Sequence, residues 1–249
     1  LMTINLLIAP DFAPERFAGW HMLNTLLQKK SGIHIHLLTP ASAHEQNDLI
    51  QAQNVDIIYA NPFDAATMIR EQGYRAVARP LGKSDEMVIA AKADSGIAAL
   101  DDLKAGCTIA MADNRDVKLI GLRLLEAVDL LETDITWKVT ETYQAAARNL
   151  IKGEADAAFF LSEVYHSLSR LTLSQMQVLI ESDLSDISHV LLVKESFADS
   201  EPFIDALLSL KDTAEGEQVL QELGMSDGFE PMTQEDGEFM IDLMDTLLD

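Results

Sequence analysis

A chain of 249 residues, 48% of them hydrophobic, is long enough for one or two domains with an ordinary buried core, which excludes a fibrous or disordered polypeptide. Eighteen basic against forty-one acidic residues leave a net charge of −23, a field that repels nucleic-acid phosphates and anionic lipid, so nucleic-acid binding is not expected. No run approaches the roughly 18 apolar residues of a spanning helix, so no membrane insertion is expected, and the single Cys107 cannot form an intrachain disulfide.

The first residues, Met2-Thr3-Ile4-Asn5-Leu6-Leu7, lack a basic leader region and run directly into an apolar strand over 4–9. If Met2 is the native start the protein is expected in the cytoplasm; if a leader has been cut away it is expected to be exported. Pro10 to Pro14 turn the chain into a helix over 14–30, with Phe17, Trp20, Leu23 and Leu27 at helical spacing, and Gly32 stops it. A strand over 33–38, a helix over 44–52 and the apolar strand 55–59 complete a βαβαβ unit, the signature of a mainly parallel sheet. Asn61 before Pro62 then reads as an N-cap with proline at the first helical position. The pattern restarts with apolar 87–91, a short helix near 99–104 and a strand over 107–111 that buries Cys107. A helix over 117–129, a strand 136–139, a helix 142–151 and the buried strand 155–161 follow, with Ser162 as the cap of another helix. Strands at 176–181 and 190–193 precede three helices, 202–210, 215–223 and 234–248. The last carries Phe239, Met240, Leu243, Leu247 and Leu248 and is expected to dock on its own lobe.

Val55-Asp56-Ile57-Ile58-Tyr59-Ala60-Asn61-Pro62-Phe63-Asp64, followed by Gly73-Tyr74-Arg75-Ala76-Val77, resembles the strand, turn and helix of the phosphonate/phosphite-type substrate-binding proteins of ABC transporters. The likeness continues at Asp101-Asp102-Leu103-Lys104-Ala105-Gly106, at Gly153-Glu154-Ala155-Asp156-Ala157, the second-half counterpart of Val55-Asp56, and in the terminal helices. It implies an α/β, two-lobed periplasmic-binding-protein-like (type II) fold with two crossover strands: residues 1–84 and 190–249 in lobe 1, 85–189 in lobe 2. It further implies a small-molecule ligand in the cleft between lobes, hinge closure over it, and an ABC permease or a signalling protein as partner.

Strand carboxyl ends and helix starts are where such sheets bind ligands. That places Asp11, Phe12, Tyr59 and Asn61 in the candidate site from the first lobe, Asn114, Arg115, Tyr143 and Ser162 from the second, and Ser188 from the second crossover. The family's Ser/Thr-Gly phosphonate turn is replaced by Asp113-Asn114-Arg115-Asp116, its frequent histidine by Tyr143, and an acidic residue by Ser188. Two carboxylates there repel a dianion, while Arg115 can hold a carboxylate or phosphate; alternatively Asp113 or Asp116 is only the N-cap of a solvated helix start. Tyr59, Tyr143 and Phe12 point to an aromatic-walled site for an organic ligand. Glu163 at a helix start either anchors an amine or complements the helix dipole.

His34 and His36 share one strand face but lack further ligands, so no metal is expected. No Gly-rich phosphate loop, His-Glu-x-x-His helix or Gly-x-Ser-x-Gly elbow is present, and no cofactor is expected. The reading is a non-enzymatic binding protein with an altered pocket and a sensing, carrier or transport role. The alternative is a cytoplasmic enzyme of the same fold resembling menaquinone-pathway lyases, with His189 or Asp113 as acid or base. A regulator's effector domain is a third, without any recognisable helix-turn-helix segment.

Overall fold

The structure is a computed structural model that describes residues 3–248. Strand β1 (Thr3–Ile8) leads through a 3-10 turn at Pro14–Arg16 into helix α1 (Phe17–Ser31), so the expected single helix from 14 opens with a tighter turn set by Pro14. Gly32, at φ 74°, takes the left-handed position that ends α1. Strand β2 (His34–Leu38), α2 (Ala43–Ala52), β3 (Ile57–Ala60) and α3 (Pro62–Glu71) follow, and α2 starts on the Ser42 side chain, which accepts from Glu45 N. The segment after Gly73 forms β4 (Tyr74–Pro80).

The chain divides into two compact units, the first holding the described residues up to Ser84 together with Asp186–Leu247, and the second Asp85–Ser185. The second unit opens with β5 (Met87–Lys92) and β6 (Thr108–Ala112). Helix α4 (Arg115–Leu125) starts before and stops short of its expected range, and β7 (Thr136–Thr140) and α5 (Tyr143–Ile151) come next. Strand β8 (Ala157–Leu161), α6 (Ser162–Ser167), α7 (Arg170–Ser174) and β9 (Met176–Glu181) complete it. The chain then returns to the first unit as β10 (Val190–Lys194), α8 (Ser200–Leu208), α9 (Ala214–Glu222), β11 (Phe229–Pro231) and α10 (Gln234–Leu248).

There are two sheets, ordered β11-β4-β10-β3-β1-β2 and β7-β6-β8-β5-β9. Both are mixed rather than mainly parallel. The first strand after each passage between units, β5 or β10, runs antiparallel to its neighbours, whereas β1, β2 and β3, like β6, β7 and β8, are parallel.

In the first unit successive residues of the central strands feed opposite cores, as the two-residue repeat of a strand buried on both faces requires. Leu6, Ile57, Tyr59, Leu191 and Val193 pack on one side with Trp20, Phe203 and Leu220, while Leu7, Ile58, Val190 and Leu192 pack on the other with Met68 and Met240. Helix α10 docks through Met240 and Met244, with Phe239 left 67% exposed, so the inward face is offset from the expected one.

Asp56 and Asp156 play the same part in the two units. Each stands one residue before its central strand and accepts from the N–H of a neighbouring strand: Asn5 N at 3.0 Å for Asp56 Oδ2 and Thr108 N at 2.8 Å for Asp156 Oδ2. The backbone of each returns the bond, Asp56 N to Asn5 O and Asp156 N to Thr108 O. A charged acceptor fixes the register at the strand's entry end and leaves the carboxyl end for the site.

Candidate functional site

All five first-unit candidates lie on one edge of the sheet, because β10 runs antiparallel to β3 and its entry, Ser188 and His189, meets the carboxyl end of β3. Asp11 and Phe12 follow β1, and Tyr59 and Asn61 close β3. Asn61 is committed to its helix: its side-chain oxygen accepts from Asp64 N at 2.9 Å and its amide donates to Asp64 Oδ2 at 2.9 Å. It shapes the edge as the N-cap the sequence predicts, with both ends of its amide engaged.

The chemistry of this edge centres on His189, which the sequence places next to the returning strand and offers as acid or base in the enzyme alternative. His189 Nε2 lies 2.9 Å from Asp11 Oδ2, with the two side chains 5% and 7% exposed. Tyr59 stacks on the imidazole at 5.2 Å between ring centroids and meets Trp20 at 4.9 Å, and Phe12 approaches Trp20 edge-on at 6.3 Å. Asp11, Phe12, Tyr59 and His189 therefore form one continuous group with Trp20, a residue sequence reasoning assigned only to the helix core. The signal for His189 was positional, since it directly precedes the strand that the chain inserts on its return. Ser188 beside it is half-buried.

The four second-unit candidates also share one sheet edge. Asn114 and Arg115 follow β6, Tyr143 follows β7 and Ser162 follows β8, and the antiparallel pairing of β5 with β8 and β9 brings Glu86 and Glu181 to the same edge. Asn114 occupies the N-cap position of α4 without making the cap. Its amide donates instead to the Tyr143 hydroxyl at 2.6 Å, linking the starts of α4 and α5, and both residues are buried. Tyr143 also packs on Phe160 at 6.3 Å, so it is no surface residue.

Neither Asp113 nor Asp116 is the cap. Asp113 is exposed, Arg115 is exposed as the first residue of α4, and Asp116 is 1% exposed in the first turn. A carboxylate buried there complements the positive end of the helix from within the protein.

Ser162 does not cap α6. Leu161 is the N-cap residue and Ser162 the first helical one. Its hydroxyl donates to Glu181 Oε1, and His166 Nε2 reaches the same oxygen at 2.8 Å. These bonds, the serine one foremost, hold Glu181 below the usual glutamate range. Burial and then the Glu181 charge push the Tyr165 hydroxyl up. Glu163 lies in the first turn of α6, where an acidic residue complements the helix dipole.

The expected histidine pair on β2 is exposed, His34 Nδ1 against Thr3 Oγ1 at 2.9 Å and His36 Nδ1 against Asn5 Oδ1 at 3.2 Å. Cys107 is a buried free thiol just ahead of β6, raised in pKa chiefly by burial. Among the described residues no helix is long and apolar enough to cross a membrane.

Two α/β sheets joined by two passages of the chain, each followed by an antiparallel inserted strand, make up the type II periplasmic-binding-protein fold. The family model of ABC transporter phosphonate periplasmic substrate-binding proteins matches residues 6–236, and the chain belongs to that family. PhnD1 from Prochlorococcus marinus, solved with methylphosphonate, is similar over 99% of this chain and 98% of its own, with a TM-score of 0.80 at 11% identity. A binding-protein component of a phosphonate ABC transporter from Pseudomonas aeruginosa has a TM-score of 0.79 at 16% identity, covering 99% of this chain and 85% of its own. A Xanthomonas citri protein bound to ATP reaches 0.75 at 12% identity, covering 99% and 98%. No curated protein matches the sequence. Members of this family bind small molecules and work with ABC permeases.

Proposed function

We propose that the protein binds, without converting it, a small organic solute that is neither a simple phosphonate nor phosphate. The observation that carries this is Asp116. A helix N-terminus is a ready anion site, and in α4 that end already holds a carboxylate that is 1% exposed. An anionic ligand there would have to compete with that carboxyl group for the same helix end. Each unit's own sheet edge carries aromatic surface for an organic group, Phe12 and Tyr59 in the first unit and Tyr143, beside Asn114, in the second.

A thermal-shift series with inorganic phosphate, methylphosphonate and 2-aminoethylphosphonate tests the exclusion. A ligand at 100 times its dissociation constant stabilises by about 2.7 kcal/mol, a rise of about 5–11 °C for a domain of this size. None of the three is expected to give it; a rise with any of them refutes the ligand reading. Asp116→Ser, which removes the resident charge, is expected to let methylphosphonate stabilise the protein.

The Asp11–His189 pair favours a second reading, an enzyme of the same fold, because an imidazole oriented by a carboxylate can move a proton. A compound that raises Tm and is recovered chemically unchanged after prolonged incubation supports binding; its conversion supports the enzyme, and loss of that conversion in His189→Gln identifies the base.

A further inference from the structure

The chain leaves the first unit between Ser84 and Asp85 and returns between Ser185 and Asp186. On the second unit's side one side chain joins the ends of both passages. The Glu86 carboxylate accepts from the Ser182 hydroxyl at 2.7 Å, from Leu184 N at 2.9 Å and from Ser185 N at 3.2 Å. Ser182 reaches back, its hydroxyl accepting from Met87 N at 2.8 Å and its N–H donating to Met87 O at 2.9 Å. The Glu86 carbonyl in turn accepts from Ser162 N at 2.8 Å, so the clasp is anchored to the start of α6.

Ser185 adds a second observation. Its φ of 65° lies in the left-handed region, which serine enters only at a cost unless its surroundings hold it there. The turn over 182–185 is therefore not at rest by its own preference. Two consecutive backbone N–H groups, Leu184 and Ser185, point at one carboxylate, and charge-assisted bonds of this kind are about twice as strong as neutral ones.

We propose that Glu86 is a clasp: it ties the outgoing and returning passages to each other and holds the return turn in its left-handed form, so that the two connections act as one joint rather than as two independent tethers. Glu86 is a positioning residue in this account and needs no contact with ligand. The clasp is built wholly from residues of the second unit, and it holds whichever solute the protein binds.

Amide hydrogen exchange on the intact chain tests it. In the wild-type protein Leu184 and Ser185 are expected to exchange at least about tenfold more slowly than an unstructured chain. Glu86→Ala releases both amides while Ile89 and Phe159, inside β5 and β8, keep their protection. Glu86→Gln preserves one acceptor oxygen, so it keeps Leu184 protected and releases Ser185, a split that simple loss of stability does not produce. Ser185→Gly, which accepts the left-handed angle freely, keeps Leu184 protected and raises the unfolding midpoint. With Cys107→Ser, spin labels at Gln51→Cys and Lys152→Cys, one in each unit, are expected to give a broader distance distribution in Glu86→Ala than in the parent. Unprotected Leu184 and Ser185 amides in the wild type overturn the proposal, as does an unchanged label distribution in Glu86→Ala. Should that variant fail to fold, the wild-type protection and the Glu86→Gln split decide.

Discussion

Removing Asp11 and His189 together should cost less than their two single removals add up to. In His189→Ala the Asp11 carboxylate keeps its buried place and loses the group 2.9 Å away that justifies it. Breaking one side of a buried pair typically costs about 3–5 kcal/mol, and at about 2–4 °C per kcal/mol that lowers Tm by about 6–20 °C. Deleting both side chains removes the stranded charge, so the double variant should be more stable than the sum of the two singles predicts, with a coupling of about 0.5–3 kcal/mol. The assay must report the first unit alone, because two units need not unfold together. The chain has two tryptophans, and Trp20 packs on Tyr59 inside the same group of rings, so its fluorescence in a Trp137→Phe background follows this unit. Urea unfolding of Asp11→Ala, His189→Ala and the double variant completes the cycle. Single-variant costs that add to within about 0.5 kcal/mol would show that the two side chains share no interaction, and the pair would lose its place at the centre of the first-unit edge.

Three further outcomes follow from other contacts. Gly121→Ala puts a Cβ 2.3 Å from Phe159 Cε2, so α4 must move off β8, and a loss of about 1–3 kcal/mol should appear as a lower urea midpoint. Glu181 has its folded pKa lowered, first by the Ser162 hydroxyl, so its contribution is fully present above the ordinary value of 4.5 and disappears as pH falls through the lowered value. Ser162→Ala should therefore reduce stability near neutral pH and flatten that acid limb in a pH series of unfolding midpoints. Tyr74, whose hydroxyl donates to Val55 O at 2.6 Å, is pushed up to about 12, first by burial and then by Asp56. Stability from its neutral form is complete below 10.0 and lost towards about 12, so an alkaline absorbance titration of the folded protein should show a late phenol step that Tyr74→Phe removes.

The repeated strand and helix pattern, the Asn61 cap and the kinship of Val55-Asp56 with Ala155-Asp156 were legible because each is a local signal. Apolar runs such as Ile57–Ala60 and a proline after an asparagine carry their meaning in adjacent residues. What the sequence concealed depends on strands far apart in the chain. Nothing near Ser162 says that its hydroxyl will meet Glu181, since the two come together only when β5 is laid between β8 and β9. The sequence offered Asp113 or Asp116 as the cap of α4, yet Asn114 holds the cap position without capping, and its amide donates instead to the Tyr143 hydroxyl, 29 residues on. His189 and Asp11 are likewise joined by the return of β10, and the mixed direction of both sheets has the same origin.

That return also dictates an order of assembly as the protein is made. Asp85–Ser185 is one unbroken stretch, so the second unit has every strand it needs once residue 185 has left the ribosome. The first unit does not. β3 pairs with β1 on one side, but on its other side it finds a neighbour only in β10, through pairs such as Leu192 with Ile58, and β4 depends on the same strand, so the middle of its sheet stays open until the later segment is synthesised. Over that interval Ile57–Ala60, four buried residues in sequence, present an unpaired hydrophobic edge in the nascent chain. The part of the protein translated first is thus the part that finishes folding last, and a chain cut short after the second unit would leave that edge permanently open.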